Sequence, residues 1–420
     1  MDMSARGPEI AVKPARASRL GRFMRVAGPG LVVMLADTDA GSIITAAQSG
    51  AQWTYRLLLL QLVLIPVLYV VQELTVRLGV VTGKGHGHLI RDCFGGFWAW
   101  VSVGTLVVAC IGALLSELSG LAGVGLLYGV PTWATMLLVI IGLVAMAYTG
   151  SYLSVERIAM ALGAFELVFV VVAWQARPDG AAVVSGSLSI PWSDSQYLYL
   201  VAANIGAVIM PWMVFYQQSA VVEKKLQPGD LPAARADTAI GAVITQVIMA
   251  AVLVATAATL GANGHHGSLE TVQQIAEAIT PFLGARGGVL MLALGMAGAA
   301  LVATIVVSLT VARTLGEVLS VNHSLEHSPR EAPWFYGIYT VALVAGGIVV
   351  ASGADLVRLS VAVQVMNALL LPIVLGFLYL LARRLPQPHR VQGPYAVVVA
   401  IVMLVTAGFG VYTAVSGVAG

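Results

Sequence analysis

Eleven apolar stretches, each long enough to cross a bilayer as a helix, run through this chain at 27–51, 56–82, 97–129, 132–149, 154–176, 197–222, 236–261, 285–318, 334–352, 355–384 and 394–418. A bilayer core takes about 20 residues of helix. Lipid offers backbone groups no hydrogen bonds, so runs of this length must satisfy their own as helices. The expected class is therefore an all-α polytopic membrane protein. The third and eighth stretches are long enough to tilt or protrude. Composition excludes the soluble alternative: 59% of the 420 residues are hydrophobic and 10% charged, where a soluble chain carries about a quarter charged. Mean hydropathy is +0.89. A net charge of +2 gives no reason to expect nucleic acid as a partner. Cys93 and Cys110 make neither a disulfide framework nor a metal-site spacing.

The basic residues orient the spans. With the N-terminus cytoplasmic, eighteen of the 22 Lys and Arg lie inside and only Arg56, Arg177, Arg286 and Arg358 outside. That asymmetry predicts a cytoplasmic N-terminus and an extracytoplasmic C-terminus; the expected location is the plasma membrane. Residues 1–26 read as a basic cytoplasmic arm without an apolar h-region, so no cleaved signal peptide is expected. The outer segment 177–196 reads as irregular and turn-rich. Within 262–284 the stretch SLETVQQIAEAI reads as a short amphipathic helix on the membrane surface.

Two spans carry residues that a simple anchor would not. In the first, Gly28-Pro29-Gly30 precedes Ala36-Asp37-Thr38-Asp39-Ala40-Gly41-Ser42. A carboxylate at mid-membrane costs about 3 kcal/mol. Residues two apart on a helix point to opposite sides, so Asp37 and Asp39 share a site only if the helix unwinds near Thr38–Gly41. In the sixth span Pro211 lacks an N–H and leaves the Ala207 carbonyl without its helical donor. Two interrupted spans, five apart, predict two inverted five-helix repeats, about 27–176 and 197–384, with a site where the breaks meet. The core is then 27–384, and 385–420 adds a loop and an eleventh helix. Glu117 and Glu166 have no basic residue in reach along their own helices, whereas Glu73 stands four before Arg77 and reads as an ion pair. An unpaired carboxylate cluster in low dielectric holds protons or binds a cation. Gln364 and Asn367 in the tenth span offer neutral oxygens, for an ion or for bonding between helices. His86 and His88 are either a weak chelating pair or ordinary loop residues, and the same holds for His265-His266. No H-E-x-x-H, G-x-S-x-G, Walker or dinucleotide motif is present, so no enzyme is expected.

These residues resemble the Nramp divalent-metal transporters. The resemblance rests on Gly28-Pro29-Gly30, on Asp39-Ala40-Gly41-Ser42, where that family has Asp-Pro-Gly-Asn, and on Ala46-Ala47-Gln48-Ser49-Gly50-Ala51. It extends through Arg77–Gly83, Glu117 with Gly120, Asp237-Thr238-Ala239-Ile240 and Gln364. Departures from the family pattern are informative. The ligating Asn is Ser42, Met-Pro-His of the sixth span is Met210-Pro211-Trp212, the third-span acid of the proton route is Leu114, and Asp37 is an extra acid. With Met213–Gln218 following, the chain is most similar to the Nramp-related magnesium transporter branch. The resemblance implies a LeuT-type fold with helices 1 and 6 broken. It also implies a metal site of Asp39, Ser42, Met210 and Gln364 with the carbonyls of Ala36 and Ala207. Around it would stand Asp37, Asn204, Trp212, Glu117 and Asn367. The implied function is import of Mg2+, with Mn2+ also carried, by alternating access without proton coupling. The metal is cargo, no cofactor is implied, and the partners are the ion and the bilayer, with the oligomeric state left open. Proton-coupled import of Mn2+ or Fe2+ is the first alternative. More remote ones are an organic-solute carrier of the same fold and an intramembrane enzyme or receptor.

Overall fold

A computed structural model describes residues 23, 26–149, 152–260, 267–279, 285–319, 321, 327–353 and 355–419. Most of the basic arm and His265-His266 lie outside them. The first span starts where Pro29 enters at the first helical position after Gly28, a position that tolerates its missing N–H. Its first half, Pro29–Asp37, ends at Thr38; Asp39 is extended and caps the second half, Ala40–Trp53, and the halves are bent by 48°. The second span is Leu58–Thr82, the third Gly96–Leu127 and the fourth Thr132–Thr149. The fifth runs Tyr152–Gly163, tightens to a 3₁₀ turn at Ala164–Leu167, and resumes at Val168–Gln175. The sixth is again in two parts, Ser195–Val208 and Pro211–Glu223. Leu231–Thr259, Ala285–Leu319, Pro333–Ala351, Leu356–Ala382 and Gly393–Ala419 complete the set. Among the described residues, eight of these are long and apolar enough to cross a bilayer alone. Two bent pairs and the shorter helix Thr132–Tyr148 account for the other expected spans.

The second and seventh spans pack together, as do the third and eighth and the fourth and ninth. These are the pairs that an inverted five-helix repeat makes equivalent, and the broken first and sixth spans lie between them. The tenth span packs on the sixth at Gly206, where a side chain would overlap the Gln364 carbonyl. Outward positions such as Phe97, Leu138, Trp174 and Leu404 are apolar and exposed, as lipid requires.

Two expectations for the connecting segments are corrected. Residues 177–196 are not wholly irregular: Gly180–Ser187 is helical, because the Asp179 carboxylate caps it by accepting from the Ala181 amide at 3.1 Å. The amphipathic stretch does fold as a helix, Val272–Ile279. Its apolar side, however, with Leu269, Val272, Ile275 and Ala276, is buried in the bundle rather than laid on lipid. Gln48 of the first span holds it there, donating to the Leu269 carbonyl (3.1 Å) and accepting from its amide (2.7 Å). At the opposite end Glu73 pairs with Arg77 at 2.8 Å as expected, and Arg235 of the seventh span joins at 2.7 Å.

Candidate ion site at the two helix breaks

Each break frees a carbonyl for a local reason. A continuous first helix would direct the Ala40 amide at the Ala36 carbonyl; here that amide donates to Glu117 Oε2 of the third span at 3.0 Å. In the sixth span Pro211 has no N–H to give Ala207. The Ala207 carbonyl accepts instead from Ser42 Oγ at 3.1 Å. Ser42 thereby joins the two breaks, hydroxyl to carbonyl.

Asp39 lies at the centre. Its Oδ1 accepts from the Ser42 amide at 2.6 Å, which fixes the carboxylate as the cap of the second half-helix. Its Oδ2 and Glu117 Oε1 are buried and receive no donor, and the two carboxyl groups lie within hydrogen-bonding reach of each other. Such a contact requires a shared proton or a cation to hold it.

Gln364 reaches the same place because residue 41 is glycine: a Cβ there would collide with Gln364 Nε2 and Ser116 Oγ. Both of those atoms are buried without a partner. Gln364 Oε1 accepts from Asn367 Nδ2 at 3.0 Å. Turning both amides over preserves their mutual bond and directs an oxygen at the break. Asp39, Ser42, Glu117, Gln364 and the Ala207 carbonyl are therefore brought together, with Asn367 behind Gln364.

The remaining candidates are placed differently. Asp37 is fully buried at the end of the first half-helix, and its carboxyl oxygens meet no donor. Glu166 sits in the 3₁₀ turn near Thr38 and is wholly buried. Asn204 spends its amide on partners within the bundle. It accepts from Gln61 (2.5 Å) and donates to Ser49 Oγ (2.8 Å), tying the first, second and sixth spans. Met210 stands at the start of the second half of the sixth span without a side-chain capping bond, and its sulfur accepts from Trp212 Nε1 at 3.2 Å. Leu114 is buried one turn before Glu117. Ser116 was not legible as a site residue; only its position beside Glu117 hints at it. His86 and His88 do not chelate. His86 is buried against Phe215 with Nδ1 on Gln218 Oε1 (2.9 Å), and burial pushes its pKa down to about 4. His88 pairs with Asp92 at 3.4 Å.

Among the described residues, no three His, Cys, Asp or Glu side chains converge as a metal cluster.

Comparison with known proteins agrees with this architecture. The family model described as natural resistance-associated macrophage protein-like matches residues 30–416. The chain is 29% identical over 300 residues to the divalent metal cation transporter MntH of Ralstonia nicotianae, an alignment covering 66% of each chain. It spans about two thirds of the length of the bacterial relatives it matches and about two fifths of the plant ones. Among solved structures it superimposes on the Eremococcus coleocola manganese transporter with a TM-score of 0.78 at 18% identity, covering 97% of this chain and 90% of that one. MhsT, solved with L-phenylalanine, superimposes with a TM-score of 0.64 at 15% identity, covering 96% and 99%.

Proposed function

The chain belongs to the Nramp family, and from that premise we propose that it is a secondary transporter importing divalent metal cations, Mg2+ first with Mn2+ also carried, by alternating access and without proton coupling. The observation that carries this reading is the oxygen character of the junction between the breaks. Asp39 supplies the charge, Ser42 and the Ala207 carbonyl stand 3.1 Å apart, and the Ala36 carbonyl is released by the Ala40 amide. Mg2+ takes oxygen ligands, dehydrates reluctantly and keeps several waters. A short serine hydroxyl leaves room for those waters where a longer amide would fill it. Relatives named as divalent metal and manganese transporters support the substrate class.

The proton side of the reading rests on two side chains. Trp212 and Leu114 stand where the family's proton route, by resemblance, has a histidine and an acid, and neither exchanges a proton near neutral pH. Import needs no proton. A divalent cation entering a cell gains about 4.6 kcal/mol per 100 mV of inside-negative potential, enough for more than about a thousandfold accumulation. The competing reading, proton-coupled import of Mn2+ or Fe2+, draws on Glu117, which touches Asp39 and can carry a proton. An organic-solute carrier is disfavoured because an anion, Asp39, occupies the break where such carriers direct a helix end at a substrate carboxylate.

The test is a panel of Mg2+, Mn2+ and Zn2+ uptake into proteoliposomes, with Ser42→Asn alongside. The native protein carries Mg2+. Ser42→Asn narrows the site and shifts the Mg2+ to Mn2+ ratio towards Mn2+. An unchanged ratio contradicts the roomy-site argument, and absence of Mg2+ uptake contradicts the proposed substrate.

A further inference from the structure

From the contact between the Trp212 indole and the Met210 thioether we infer that Trp212 is a specificity-determining residue, which keeps soft metals out by occupying the sulfur. The inference rests on the oxygen-ligand reading above and adds to it a reason for the weakness of soft ions. Met210 carries the thioether of the sixth-span break and is 1% exposed. Three residues before it, the Ala207 carbonyl meets Ser42. A buried thioether at an ion-binding helix break attracts thiophilic ions such as Cd2+. Here Trp212 Nε1 donates to that sulfur at 3.2 Å. Trp212 is wholly buried, and an indole has a single N–H.

A thioether that gives one lone pair to a metal accepts a hydrogen bond only weakly with the other, so recruiting the sulfur leaves a desolvated N–H poorly satisfied, and that penalty falls on soft ions alone, because Mg2+ makes no use of sulfur. The contact lies between residues two apart at a helix start, where Met210 is extended and Trp212 already helical, so the break itself brings donor and acceptor together. Trp212 is a positioning residue for Met210 and is not itself a ligand.

A double-mutant cycle on the full chain, read as Cd2+ and Mg2+ binding by calorimetry, tests this. Trp212→Phe keeps an aromatic ring without the N–H, and should raise Cd2+ affinity relative to Mg2+ by about tenfold. Met210→Leu should change Cd2+ affinity by less than about twofold in the native background, yet abolish the gain in the Trp212→Phe background. A Cd2+ to Mg2+ ratio unmoved by Trp212→Phe, or a gain that survives Met210→Leu, overturns the inference. If Trp212→Phe does not fold, the single Met210→Leu variant decides: a loss of Cd2+ affinity beyond about twofold shows that the sulfur is already in use, and a smaller change supports masking. Native Mg2+ uptake, measured separately, reports on the proposed function and can fail without altering the cycle.

Discussion

Asp39→Ala lowers divalent uptake by at least about a hundredfold, because it removes the charge at the junction of the two breaks. Oδ1 of Asp39 is fixed by the Ser42 amide at 2.6 Å, which leaves Oδ2 without a donor beside Glu117. Alanine also deletes a helix cap, worth about 1 kcal/mol, so lost activity alone is ambiguous. Asp39→Asn separates the two effects. Asparagine caps a helix as well as aspartate does but brings no charge, so it should keep the native melting temperature and lose uptake nearly as fully. A folded Asp39→Asn protein with near-native Mg2+ uptake removes Asp39 from the site.

Gly206→Ala is expected to cost about 3 kcal/mol or more, because the added methyl meets backbone that cannot give way. Its Cβ would overlap the Gln364 carbonyl and lie 2.8 Å from the Ala368 amide. Gly41→Ala meets the ends of two side chains, Gln364 Nε2 and Ser116 Oγ, which can move. It should therefore fold while displacing Gln364 from the break. Gly376→Ala, with nothing within 4 Å, is the neutral control on the tenth helix. Thermal melts in detergent rank the three. Gly206→Ala melting within about 2 °C of the native protein, like the control, would show that the sixth and tenth spans pack less closely than described.

The spans and both breaks were legible in the sequence because they depend on local chemistry. Apolar run length decides what crosses a bilayer, and a proline or a pair of aspartates decides where a helix stops. What escaped local patterning depends on partners distant in the chain. Gly180–Ser187 is the local exception: its glycines and serines read as turn, and the neighbouring Asp179 cap overrides that preference. The amphipathic face of Val272–Ile279 was legible, but its destination was not, because Gln48 more than two hundred residues away decides it. Asn204 is expected around the site, yet Gln61 and Ser49 claim its amide. The resemblance named Gln364, but only the missing Cβ at Gly41 shows how it reaches the first span. Trp212 and Met210 were both in view, while the bond between them depends on the extended conformation that the break imposes on Met210.

Uptake into proteoliposomes loaded with both a metal-sensitive and a pH-sensitive dye tests the central claim most directly. Under an inside-negative potential, Mg2+ should enter at a rate that rises with the potential, while internal pH stays level with that of vesicles lacking the protein. Internal acidification that tracks metal entry and requires the protein would contradict the account, and would return Glu117 to a proton route.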